Sequence, residues 1–168
     1  ANKSNYSYQC KKVLVEVTTE EEEAWKAGGG RVWYVAHFPV RNEASASTPL
    51  RVVFDPNMPF RGIVIDRMWE PPPNMIPDIA GLLIRFRERP VSIVLDISKA
   101  YWSVFLENKE SHLHRVLWNK LDPDIPSKTY RMVRNSWGMK PSGSICSLAM
   151  LMIAEMFQHK YPNVHEFI

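Results

Sequence analysis

The chain has only two cysteines in 168 residues, Cys10 and Cys146, and they stand far apart. Two distant cysteines build neither a disulfide framework nor a thiolate metal site. Cys146 falls inside an apolar helical run, where a thiol behaves as a small buried hydrophobe. The five histidines, His37, His112, His114, His159 and His165, show no metal-ligand spacing with cysteines or acids. No apolar run approaches the length of a membrane span and no signal peptide opens the sequence. These absences argue for an intracellular protein with no membrane partner, and leave cytoplasm or nucleus open. Internal repeats and low-complexity tracts are also missing. Glycine is scarce, seven residues against thirteen prolines, so stiff connections are expected. The first residue is not Met, which suggests a piece excised from a longer chain.

What is present is the composition of a globular protein, 45% hydrophobic and 23% charged. The length suits one domain with a sizeable core, or a domain with a small satellite. A net charge of +3 permits a polyanionic partner without demanding one.

Along the chain, Val13 to Val17 alternates like a short edge strand. Thr18 or Thr19 can cap a helix through Glu20–Glu23, whose acids favour a helix N-terminus, and Gly28–Gly30 end it. The glutamate run reads as a solvated face. The aromatic and β-branched segment Arg31 to Val40 and the segment Leu50 to Asp55 read as two strands of a hairpin. The segment from Trp69 to Asn74 is a stiff proline connector. Ile79, Leu82, Leu83 and Phe86 fall at helical spacing, and Pro90 closes that helix. A short helix is expected from Asn108 to Trp118. Strands are expected at Trp118–Leu121 and Tyr130–Arg134, around a proline-rich turn. A helix from about Ser144 to Lys160 carries Ile145, Leu148, Met152, Ile153 and Met156 as an apolar stripe, expected to face the core.

The sequence is organised around Val91 to Phe105. Val91, Ile93, Val94 and Leu95 read as a strand buried on both faces, ending on Asp96. An acid there needs a partner: neighbouring backbone amides across the turn, a cation or a metal. Five residues on, Tyr101 brings a ring to the same edge.

In order, WYVAHFPV, LRVVFD, LLIRFRERPVSIVLDISKAYWSV, HRVLW and YRMVRNSWGMKPSGSICSLAM resemble the fingers and palm of a reverse transcriptase. The likeness is to the BEL/Pao type of LTR retrotransposon and covers roughly residues 30 to 160. It implies an α+β fold: an N-terminal strand and helix extension over 1–30, a fingers-like hairpin region over 31–90, and a partial palm, an antiparallel sheet packed against helices, over 91–168. It also implies nucleotidyl transfer with two Mg²⁺ or Mn²⁺ ions, acting on dNTPs along an RNA template and primer. Asp96 and the carbonyl of Ile97 match the first acid and the carbonyl that face the metals. Tyr101 matches the steric gate against a ribose 2′-hydroxyl. Arg51 matches the fingers residue on the triphosphate, where a guanidinium suits phosphate oxygens. Asp55 matches a structural acid. Trp137, Gly138 and Ser142 match the aromatic-Gly-x-x-x-Ser-Pro loop under nucleotide and template.

There are departures. Gly143 stands where the family usually has proline, Ser103 where it often has glutamine, Trp137 for the usual Phe, and Pro71–Pro73 for a more typical Gly-Pro. No Asp-Asp pair occurs anywhere, so the family's second catalytic motif is missing. One carboxylate cannot hold two mutually repelling divalent ions, so this chain alone is expected not to polymerise. The Asp96 strand would then lack its neighbour. Its edge is expected to be covered by a second chain or homodimer partner, by a swapped segment or by the chain's own tail. Two functions follow: a piece of an RNA-directed DNA polymerase, or a domesticated, truncated module that serves as a non-catalytic RNA-binding or protein-interaction scaffold. An unrelated α+β domain is the third reading.

Overall fold

A computed structural model describes residues 13–44, 49–119 and 122–162. The fold is α+β. In chain order the elements are β1 (Leu14–Glu16), α1 (Thr19–Ala27), β2 (Ala36–Arg41), β3 (Leu50–Asp55), α2 (Ile79–Phe86), α3 (Asn108–Ser111), β4 (Arg115–Trp118), β5 (Lys128–Met132) and α4 (Ser142–Phe157). One sheet has the order β1-β5-β4, antiparallel throughout. The second is the hairpin β2-β3, with Val40 opposite Arg51 and Ala36 opposite Asp55.

Local chemistry accounts for most of these elements. Thr18 caps α1 by accepting from the amide of Glu21, three glutamates occupy its first turn, and Gly28 ends it. Asp78 caps α2 by accepting from the amides of Ala80 and Gly81. The core lies where the two sheets meet: Val13, Val35, Phe54, Val116, Met132 and Met139, flanked by Trp33, Val52, Trp69, Trp102 and Tyr130. Tyr34 bridges to Arg115, and Val35 donates to the Arg115 carbonyl at 2.8 Å, so the approach to the hairpin is stitched to β4.

A buried polar cluster ties α1 to the three-stranded sheet. Arg115 and His112 are fully buried. Arg115 donates through Nε to His112 Nδ1 at 3.1 Å and pairs through Nη1 with Glu22. Arg131 donates to Glu21 at 2.7 Å and to the Ser111 hydroxyl at 3.1 Å. Trp25 stacks on the His112 ring with centroids 4.0 Å apart. The acceptor role of Nδ1 requires a neutral imidazole, and burial, then the Arg115 charge, hold the His112 pKa below its ordinary value.

The structure corrects four sequence expectations. The segment from Val91 to Leu95 is not a buried strand: it pairs with no strand among the described residues, and Leu95 is 85% exposed. A β-branched run becomes a strand only where a neighbour offers backbone partners. The expected helix from Asn108 to Trp118 stops early. After α3 a short 3-10 turn covers His112–His114, and Arg115–Trp118 is β4, so the strand expected from Trp118 begins at Arg115, and the expected end at Leu121 lies outside the described residues. Pairing with β5 and burial of Arg115 and Val116 outweigh the helical spacing there. The apolar stripe of α4 does not face the core: Leu148, Met152, Ile153 and Met156 are exposed, and Cys146 and Ala154 are the buried apolar positions. Lastly, the first hairpin strand begins at Ala36 instead of Arg31. No helix of the described residues is long and apolar enough to cross a membrane.

Candidate functional site

The loop 136–141, leading into α4, is the joint of the molecule. Gly138 has φ +95°, a conformation open to glycine, and a Cβ there would stand 2.7 Å from the Phe54 carbonyl oxygen. Lys140 donates its amide to Asp66 at 2.7 Å and its ammonium to the Trp69 carbonyl at 3.1 Å. Asn135, fully enclosed, donates to the Ser142 carbonyl at 3.0 Å. Trp137 stacks on Trp102 with centroids 4.7 Å apart. The loop is thereby locked to the hairpin, to the proline connector and to the segment that follows Asp96.

That segment forms the second half of the site. Lys99 adopts the left-handed conformation, φ 58°, in the turn after Asp96, and Tyr101–Ser103 is one 3-10 turn. The reversal sets Asp96, Ile97, Ala100 and Tyr101 along one wall of an open cleft of about 290 Å³. The opposite wall is a face of α4: Gly143, Cys146, Ser147 and Met150. Asp96 is exposed, so its carboxylate is solvated and needs no structural cation. Backbone contacts support the first wall, with Ala100 donating to the Ile97 carbonyl at 3.2 Å and Asn135 donating to the Val104 carbonyl at 2.8 Å.

Of the residues singled out by resemblance, the cleft gathers Asp96, Ile97 and Tyr101. Arg51 is exposed on β3 and does not line it. Trp137 is half-buried against Trp102, Gly138 abuts the Phe54 carbonyl of β3, and Ser142 is buried; none of the three lines the cleft. The Ser142 hydroxyl is buried without a hydrogen-bond partner. Sequence reasoning missed the α4 wall, although its spacing was visible: 143, 146, 147 and 150 are one helical face of mostly small residues.

A two-cation centre, which the resemblance implies, needs several carboxylates around the ions. Asp96 is the one carboxylate among the lining residues. No group of three His, Cys, Asp or Glu among the described residues gathers where a cation could be held. These residues therefore do not fit a two-metal centre by themselves, because several anionic ligands are needed to offset the repulsion between the ions.

Comparison with protein-family models and with curated proteins finds no match to this chain.

Proposed function

We propose that this chain is the fingers and part of the palm of an RNA-directed DNA polymerase of the BEL/Pao type, and that the cleft between Asp96 and α4 receives the incoming deoxynucleotide. The observation that carries the reading is convergence. Two segments separated by some forty residues, DISKAY and the start of α4 after SWGMKPS, form opposite walls of one cleft. Asp96 is the acid of that cleft, Tyr101 its aromatic wall, and Gly138 the hinge that seats the loop on the hairpin. Arg51, exposed on β3 outside the cleft, is the guanidinium that the resemblance assigns to the triphosphate. Mg²⁺ or Mn²⁺ binding needs carboxylates beyond Asp96, so the chain alone binds nucleotide but does not extend a primer. Titration of dTTP in Mg²⁺, followed by ligand-observed NMR, tests this. Saturable binding that weakens in Asp96→Asn and in Arg51→Ala supports the reading. Absence of binding, or binding indifferent to both changes, overturns it.

A second reading is favoured by one observation, the exposure of Val91, Ile93, Val94 and Leu95. A domesticated, non-catalytic scaffold would use this run to pair with a second copy of the chain, in the manner of an uncovered strand edge. Sedimentation equilibrium of the chain and of Val94→Lys separates the two readings: a dimer abolished by the charge supports the scaffold, and a monomer in both removes it.

A further inference from the structure

Helix α1 is attached to the rest of the molecule without an apolar seam. None of its residues is buried, and only Glu21, Glu22 and Trp25 are even partly covered. These three meet one cluster. Glu22 pairs with Arg115, Glu21 accepts from Arg131 at 2.7 Å, and Trp25 stacks on His112. The indole N–H of Trp25 goes to the Arg31 carbonyl, just past the helix, and not to the sheet. A nine-residue helix is marginal in water by itself, so the cluster decides whether α1 stays folded.

His112 sits in that cluster with no exposed surface. Both Nε and Nη2 of Arg115 approach its Nδ1, at 3.1 Å and 2.7 Å. A proton on Nδ1 would set donor against donor there, beside a guanidinium charge. The other ring nitrogen, Nε2, has no hydrogen-bond partner; the Glu21 carboxylate stands 3.5 Å away and is already engaged by Arg131. The charged groups around the ring are Arg115 on β4, Arg131 on β5, and Glu21 and Glu22 on α1, with Lys26 paired to Glu22. The glutamates that favour an imidazolium are thus held by the arginines that oppose it.

We propose that His112 is an acid-operated latch for α1: the neutral ring holds the Arg115 fork and with it Glu22, and a protonated ring cannot, so in acid the helix detaches from a sheet that stays folded. The proton comes from solvent when the cluster opens, because the closed ring has no exposed atom. Burial, then the Arg115 charge, keeps the docked ring below its ordinary value of 6.5. Docking is therefore complete above about pH 6.5 and is lost as pH falls through the docked value. His114 stacks on Trp69, and His37 lies against Phe54 and Trp118, so protonation of those rings bears on other contacts.

The test is amide hydrogen exchange between pH 7.5 and pH 5, corrected for intrinsic rates, on the wild-type chain and His112→Asn, with the His112 ring followed by NMR. A released ring titrates near 6.5, so opening of α1 is favoured by up to about thirtyfold more at pH 5 than at pH 7.5. Amides of residues 22–27 are expected to lose protection by about ten- to thirtyfold, while β4 and β5 lose less. Asn keeps an acceptor for Arg115 and takes up no proton, so His112→Asn should hold α1 at both ends of the range. Unchanged protection of α1 in the wild-type chain overturns the latch. An equal loss from α1 and the sheet is global unfolding and overturns it as well. A loss of the same size in His112→Asn assigns the effect to the carboxylates and does the same. If His112→Asn does not fold, the wild-type chain decides: an α1 midpoint that coincides with the His112 ring titration supports the latch, and one displaced by about one pH unit or more overturns it.

Discussion

Gly138 and Phe54 are 84 positions apart, and the carbonyl oxygen of Phe54 would lie 2.7 Å from any Cβ placed on Gly138. The contact is between backbones, so no side-chain rotation relieves it. Gly138→Ala adds this clash to the strain of a left-handed residue, and is expected to cost about 2 kcal/mol or more. Urea unfolding monitored by circular dichroism measures the loss. A change below about 0.5 kcal/mol, the size expected of an ordinary surface substitution, would show that the loop does not press on β3.

Arg115 is the buried cation of the cluster under α1, held by Glu22 and His112. Truncating it opens a cavity and leaves the buried His112 Nδ1 without its donor, with Lys26 as the remaining cationic partner of Glu22. Arg115→Ala should lower stability by about 3–5 kcal/mol, as expected when one partner of a buried pair is removed. Replacing Glu22 by Gln should cost less, because the amide oxygen still accepts from the guanidinium. Hydrogen exchange in α1 reports the same event locally: amides of residues 22–27 should lose protection in Arg115→Ala first.

Three histidines couple this fold to pH. Burial is the first cause that lowers the pKa of His37, His112 and His114 below the ordinary 6.5. The groups facing His112 are Arg115 on β4, Arg131 on β5, and Glu21 and Glu22 on α1; the arginines oppose its protonation and the glutamates favour it. With folded values depressed, the unfolded chain takes up protons first as pH drops below about 6.5. Stability is therefore full above that pH and falls as pH descends through the folded values. Urea midpoints at pH 7.5 and pH 5.5 should show the decline, and His112→Asn should flatten it. A flat profile in the wild-type chain would contradict the burial of these rings.

Lys99, at φ 58°, is a left-handed residue with a side chain, in the turn that aims Asp96 and Tyr101 at the cleft. Lys99→Gly removes the Cβ penalty of that conformation, at the cost of a more flexible unfolded chain. The net expectation is a gain of up to about 1 kcal/mol, read from the urea midpoint. A clear loss would mean that the lysine side chain has packing of its own to lose.

Much of the architecture was legible without coordinates. The cap at Thr18, the hairpin of β2 and β3 and the long final helix all follow from side chains acting within a few residues of themselves, which is the range over which sequence patterns report. Asp96 and Tyr101 could be placed on one edge for the same reason. The errors share a cause. Val91–Leu95 has the composition of a buried strand, but a strand exists only where another supplies its hydrogen bonds. The stripe on α4 has the spacing of a core face, but periodicity shows that a helix has an apolar side and not what that side meets. The α4 wall of the cleft was overlooked because small residues carry no chemical signal until something stands opposite them.

The sequence by itself determined the Thr18 cap, the β2-β3 hairpin, the final helix and the α+β class, because those depend on local propensity and short-range hydrogen bonds. Tertiary structure alone decided which apolar surfaces are covered, that Gly138 meets Phe54, that His112 is held neutral against Arg115, and that Gly143 faces Tyr101. Each of these is a contact between residues that only the folded chain brings together. Its energy depends on distances of a few ångströms that no one-dimensional pattern specifies.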